Sequence, residues 1–208
     1  MTNLTRFVLV CLSLLASTAA RADDLRSDRN DSRVITRIDR GVWELDVGAL
    51  GVLTSDSENG ASVTRLSSVT TAGVHYFVRS NVSVGVEGLL AYESTGDGTS
   101  AITYGAAVDA AIHMRLGLGA FFRPGIAVGV LGGNRDVTMS DGTIMQAPQV
   151  GVLTRVRLPI AYFASRSFLL EAGPEFDVTV GSYTPQGGDS QAFTHIAGGF
   201  SVGMGYAF

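Results

Sequence analysis

From residue 41 onward, large apolar side chains recur at every second position, a period that suits a β-strand and not a helix. In VSVGVEGLLAY (82–92), Val82, Val84, Val86, Leu90 and Tyr92 share one face, and Ser83, Gly85, Glu87, Leu89 and Ala91 share the other. In 102–115, Ile102, Tyr104, Ala106, Val108, Ala110, Ile112 and Met114 alternate with Thr103, Gly105, Ala107, Asp109, Ala111, His113 and Arg115. Here one face is wholly apolar, while the other holds small and charged residues. Eight such segments are predicted, at roughly 41–53, 63–77, 82–92, 102–115, 121–133, 146–163, 168–181 and 192–208. The connections at 54–62, 93–101, 134–145 and 182–191 are long and rich in Gly, Ser and Asp. Those at 78–81, 116–120 and 164–167 are short. Long and short connections in alternation predict an all-β, up-and-down antiparallel meander with one end more elaborate than the other.

Residues 1–22 read as a secretory signal peptide, with Arg6 ahead of an apolar core at 7–16 and Ala20-Arg21-Ala22 as the cleavage site. The apolar run is too short for a membrane helix. It contains the sole cysteine, Cys11, so the mature chain is expected to have no disulfide framework and no thiolate chemistry. Residues 23–40, DDLRSDRNDSRVITRIDR, read as a charged flexible leader, and 41–208 as one barrel domain. Without Arg6 and Arg21, 13 arginines face 19 acids, a net charge of -6. That balance argues against a nucleic-acid partner. Past the signal, Arg123 and Pro124 interrupt the most apolar stretch, which argues against membrane helices.

Periodicity alone does not say which face points inward. A soluble barrel buries its large apolar side chains, and a membrane barrel turns them toward lipid. The polar face is heavy in Gly, Ala and Ser, which suits the narrow interior of eight strands better than a surface in water. Charges of both signs sit among them, Arg123 included. Enclosed charges must be paired, so an interior salt-bridge network is expected among Glu44, Asp46, Arg65, Glu87, Asp109, Arg115, Arg155, Arg157, Glu171, Glu175 and Asp177. Aromatics cluster toward the two ends of the strands. Trp43, Tyr76, Phe122, Tyr162 and Phe168 fall on the short-turn side, and Tyr92 and Tyr104 on the other. Paired girdles of this kind mark the two interfaces of a membrane barrel. Pro124, Pro159 and Pro174 fit less well, because each removes a ladder hydrogen bond, and Pro174 falls in the middle of its segment.

With these residues in view, the chain resembles the small eight-stranded outer-membrane β-barrels of Gram-negative bacteria, the OmpA/OmpX/opacity-protein-like group, over about 41–208. The most specific part is FSVGMGYAF at the C-terminus, where Phe208, Tyr206, Met204, Val202 and Phe200 alternate with small residues. HYFVRSNVSVGVEG, a hairpin across a short turn, is similar to the family as well. The resemblance implies an eight-stranded antiparallel transmembrane β-barrel in the cell outer membrane. It implies outer-membrane lipid and the barrel-assembly machinery as partners, with those five C-terminal residues as the assembly signal.

Catalysis is not expected. His75 and His113 fall near short-turn ends on the small-residue face, and His195 follows Asp189 and Ser190 near the long-loop end. A triad would need its members within hydrogen-bond reach, and THIAGG lacks the His-x-Ser pattern of the lipid A deacylase barrels. No metal motif and no cofactor motif is recognised. Glu171, Glu175 and Asp177 share one strand face, where Arg155 and Arg157 of the preceding strand can meet them. The expected role is structural, or surface interaction through the loops, whose ligand the sequence does not name. A narrow pore, a lipid-modifying outer-membrane enzyme and a soluble secreted barrel with a ligand cavity are the alternatives.

Overall fold

The computed structural model describes residues 38–58, 61–94, 99–138, 142–185 and 188–208, and over 50–58 and 61–67 it describes the course of the backbone alone. The signal peptide expected at 1–22 and the leader up to residue 37 lie outside the described residues. Eleven strands follow in order: β1 Trp43–Glu58, β2 Ala61–Arg79, β3 Val82–Ser94, β4 Ser100–Ile112, β5 Met114–Gly117, β6 Ala120–Phe122, β7 Gly125–Thr138, β8 Ile144–Arg157, β9 Ile160–Phe163, β10 Phe168–Tyr183 and β11 Gln191–Ala207. All their pairings are antiparallel. Because β11 pairs with both β10 and β1, the sheet closes on itself. At the seam, Trp43 and Phe208 exchange both backbone hydrogen bonds, at 2.8 and 3.0 Å.

The eleven strands make eight crossings, since β4–β5, β6–β7 and β8–β9 are single crossings interrupted at prolines or their partners. The register does not slip at these points: Ala111↔Gly125 continues as Met114↔Phe122, Gly125↔Arg157 as Phe122↔Ile160, and Glu175↔Arg157 as Ala172↔Ile160. Each proline occupies a position where two residues would exchange a pair of bonds, and it forfeits one of them. The other survives. Ile112 N–H donates to the Pro124 carbonyl at 3.0 Å, Arg123 N–H to Pro159 at 2.9 Å, and Leu158 N–H to Pro174 at 3.0 Å. The three prolines therefore form one stripe across consecutive crossings. Gly173 makes room for it, because a Cβ there would lie 2.7 Å from the Leu158 carbonyl oxygen.

The strands are longer than the segments read from the sequence. β1 spans 16 residues and β2 19, where a tilted strand needs roughly 9–11 to cross the hydrocarbon. The pairs Glu58↔Ala61, Ser94↔Ser100, Thr138↔Ile144 and Tyr183↔Gln191 show the ladder running through much of what was expected to be long loop. Gly, Ser and Asp in those stretches lower strand propensity, but each stretch pairs with the strand it is joined to across the loop, as a hairpin ribbon that extends beyond the closed ring at 61–66, 136–138 and 144–148.

The stretch expected as a leader, 23–40, includes Ile38. Ile38 is buried, and it packs with Phe77, Phe121, Ala161, Phe163, Leu169 and Ala207 at the short-turn end. Two bonds hold it there: Ile38 N–H donates to Asn81 Oδ1 at 2.9 Å, and Asn81 N–H donates to the Ile38 carbonyl at 3.0 Å. Asn81 adopts φ 63° in the β2–β3 turn, a left-handed conformation that asparagine tolerates better than most residues. Phe77, Phe121 and Phe163 thus face inward and form a plug beneath the barrel. Ile38→Ala is expected to cost about 2–4 kcal/mol, as for other buried isoleucines. It should lower the temperature at which the folded band converts to the unfolded one on SDS gels, and an unchanged conversion temperature would mean that Ile38 does not stabilise the barrel.

Candidate functional site: the barrel interior

The outward face carries Val86, Val108, Val130, Val152, Val180, Phe200 and Val202, each more than half exposed, in rows that run around the ring. An apolar surface this extensive is incompatible with water and matches the lipid-facing band of a membrane barrel. Trp43 and Tyr76 meet on this face with ring centroids 4.9 Å apart. Tyr162, Tyr92 and Tyr104 are exposed, and Phe122 and Phe168 half-buried. Phe200, Val202, Met204, Tyr206 and Phe208 alternate along β11 and its end, with Phe200, Val202 and Phe208 well exposed. The soluble alternative is thereby corrected, because its apolar face would have to point inward.

Inside, the side chains form layers. Above the phenylalanine plug lies an ionic layer. Arg123 Nη1 is 2.7 Å from Glu44 and 3.0 Å from Glu171. His75 sits between two carboxylates, with Nε2 2.9 Å from Asp46 and Nδ1 3.3 Å from Asp109. Arg157 bridges Asp109 at 2.9 Å and Glu87 at 3.1 Å. Arg155 reaches Glu87 at 3.1 Å, Glu175 at 2.8 Å and Asp177 through two bonds of 2.9 Å. From Asp46 through His75, Asp109, Arg157 and Glu87 to Arg155, the contacts are continuous.

The network exists because inward neighbours are small. A Cβ on Gly85 would run into His75 Nδ1 and lie 2.5 Å from Asp109 Oδ1, and one on Gly73 would run into Asp46. Without those glycines the imidazole could not stand between its two acids. Ser83 Oγ and His113 Nε2 lie 3.2 Å apart at the lower edge, and the His113 ring meets Phe77 in a tilted contact with centroids 4.8 Å apart.

Most of the expected network is thus brought together: Glu44, Asp46, Glu87, Asp109, Arg155, Arg157, Glu171, Glu175 and Asp177. Arg115 is a correction. It is exposed, paired with Phe121 one rung before Gly117↔Ala120 and the Leu118–Gly119 turn, and it stands outside the ion pairs described above. Arg65 lies where only the backbone is described, opposite Thr54. Arg123, read from the sequence as an inward charge, meets acids on two strands across the bore, Glu44 on β1 and Glu171 on β10, and His75, which was not expected in the network, pairs with Asp46 on the adjacent strand and Asp109 on β4. A signal was available in their inward parity. Glu44, Asp46 and His75 place three potential ligand atoms within 4.8 Å of one another, but Arg123 and Asp109 already partner that group. Asp189 and Ser190 are exposed in the loop before β11, while His195 is half-buried and lines a cavity described below.

Closed ring, apolar exterior and charged interior together define an integral membrane β-barrel, with the fold of the small eight-stranded barrels of the Gram-negative outer membrane. Neisserial surface protein A superposes with a TM-score of 0.52 at 14% identity, covering 81% of this chain and all of that one. Ail of Yersinia pestis superposes at 0.47 with 14% identity, over 81% and 99% of the two chains. The N-terminal barrel domain of Pseudomonas aeruginosa OprF does so at 0.46 with 15% identity, over 81% and 98%. No family model and no curated protein matches the chain.

Removing Arg155 would leave Glu87, Glu175 and Asp177 facing one another in an enclosed site. Arg155→Ala is therefore expected to destabilise the barrel by about 3–5 kcal/mol, the range for breaking a buried ion pair. Arg115→Ala should stay within about 0.5 kcal/mol, as an exposed residue does. Urea unfolding in lipid vesicles measures both, and equal effects would contradict the burial difference.

Proposed function

We propose that the protein is a non-enzymatic outer-membrane barrel that acts at its external face and does not conduct. The observation that carries this reading is the double closure of the bore. The Arg155–Glu87–Arg157–Asp109 chain of ion pairs crosses it, and the Ile38–Phe77–Phe121–Phe163 plug fills its short-turn end. Small barrels leave room for side chains and little else, and here charged and aromatic side chains take that room. Short turns face the periplasm in barrels of this class. The prolonged strands β1, β2, β10 and β11 then rise on the outer side and carry the loops, which supports a role in surface interaction.

Purified protein in a planar lipid bilayer is expected to give no discrete current steps. Steady openings in the wild-type protein would establish the narrow pore instead.

The exposed alternation ending at Phe208 supports its reading as the signal for the barrel-assembly machinery. Deleting Phe208 also removes both seam bonds to Trp43, so the informative variant is Phe208→Ala, which keeps the backbone pairing. It should lower the amount of protein in the outer membrane severalfold while leaving refolding into vesicles intact. Equal loss in both settings would make Phe208 a stability residue.

A further inference from the structure

Above the ionic layer the bore opens. A cavity of about 110 Å³ lies between the Arg155–Asp177 pair and the loop end. Its waist is the apolar cluster Val69, Leu89, Leu153 and Ala197, with Leu131 packed against it. Its floor is Asp177 and Arg155. At its mouth Gln149 Nε2 donates to Thr103 Oγ1 at 2.8 Å, and the Arg135 guanidinium lies 4.8 Å from the Tyr183 ring centre. Glu93 and Arg135 contribute one charge of each sign to the upper wall. The cup is open at one end, greasy in the middle and charged at the bottom.

Carboxylates outnumber arginines in the layer beneath the cup, of which only Arg155 and Asp177 line it. Arg155 and Arg157 face Glu87, Asp109, Glu175 and Asp177, and His75 is the further cation-forming group beside Asp109. All three guanidinium nitrogens of Arg155 are taken by carboxylates. The floor therefore has little to offer an anion. A carboxylate has about four acceptor positions, and Arg155 fills two on Asp177. A hydrogen-bond donor, above all a positively charged one, would complete this site.

We propose that the cup is a binding site for a small organic ammonium ion, with the hydrocarbon body at the Val69–Leu89–Leu131–Leu153 waist and the ammonium group on Asp177. The apolar waist selects against inorganic cations, which gain nothing from it. A floor of Asp177 beside an Arg155 whose nitrogens are already taken by carboxylates selects against carboxylates of the same length. The volume is of the order of the ~150 Å³ apolar cavity that accommodates benzene, which limits the body to a handful of carbon atoms. The site stands apart from the question of conduction, because ligand enters and leaves by the same mouth.

The test uses the full mature barrel in lipid nanodiscs with methyl-labelled leucines. n-Butylammonium, butan-1-ol and butyrate, equal in chain length and short enough to partition weakly into lipid, are titrated separately. Butylammonium is expected to shift the Leu131 and Leu153 methyl signals saturably, and at least about tenfold more tightly than butyrate, the ratio that 1.4 kcal/mol of charge discrimination gives. Leu131→Phe fills the waist without touching the floor and should abolish the saturable shift. Should that variant fail to fold, Ala197→Leu fills the same space from the opposite wall. Butyrate binding as tightly as butylammonium, a linear response to all three compounds, or unchanged binding in the folded filling variant would each overturn the proposal.

Discussion

A charge enclosed in a barrel this narrow can stay only if an opposite charge stands within reach, and the interior is organised around meeting that condition. Three guanidiniums and one imidazole from β2, β8 and the β6–β7 junction reach acids on β1, β3, β4 and β10. Such pairs are weak evidence of net stability, because desolvation offsets much of the attraction. Their effect is on specificity. A strand slipped by one residue would carry its acids to the lipid face and leave the arginines alone in the bore, so register and ionic network determine one another.

The alternation along the chain made the number of crossings, the closed all-β fold and most of the inward charges legible in advance. Glu87, Asp109, Arg155 and Asp177, all of inward parity, are brought together in the structure. Arg115 shares that parity and is nonetheless exposed, although its partner Phe121 is buried; parity sets the face of a residue and not its burial. The alternation also under-read the strands, since Gly, Ser and Asp look like loop residues until the hairpin partner of each stretch is known. Ile38 was hidden for a different reason: a single isoleucine in a charged stretch has no periodicity to announce it, and its site is made by phenylalanines from three other crossings. The cavity was equally out of reach, being a space where side chains from seven crossings fail to meet.

The two apolar layers have opposite consequences. The lower one brings Phe77, Phe121 and Phe163 together with Ile38 and leaves no bore. The upper one is built from Val69, Leu89, Leu153 and Ala197, smaller side chains on the same ring, and leaves a cup. Side-chain size at equivalent inward positions thus separates a sealed half from an accessible half within one cylinder of constant strand number.

The stripe of prolines has a meaning for how the barrel sits in its membrane. Pro124, Pro159 and Pro174 cannot return a bond to the carbonyls of Ile112, Arg123 and Leu158, and a carbonyl left without a donor in hydrocarbon is costly. Those carbonyls belong at a depth that water still reaches. The stripe lies just above the aromatic residues Phe122 and Tyr162, so it acts as a waterline drawn on the hull, fixing the draught of the barrel from the short-turn end.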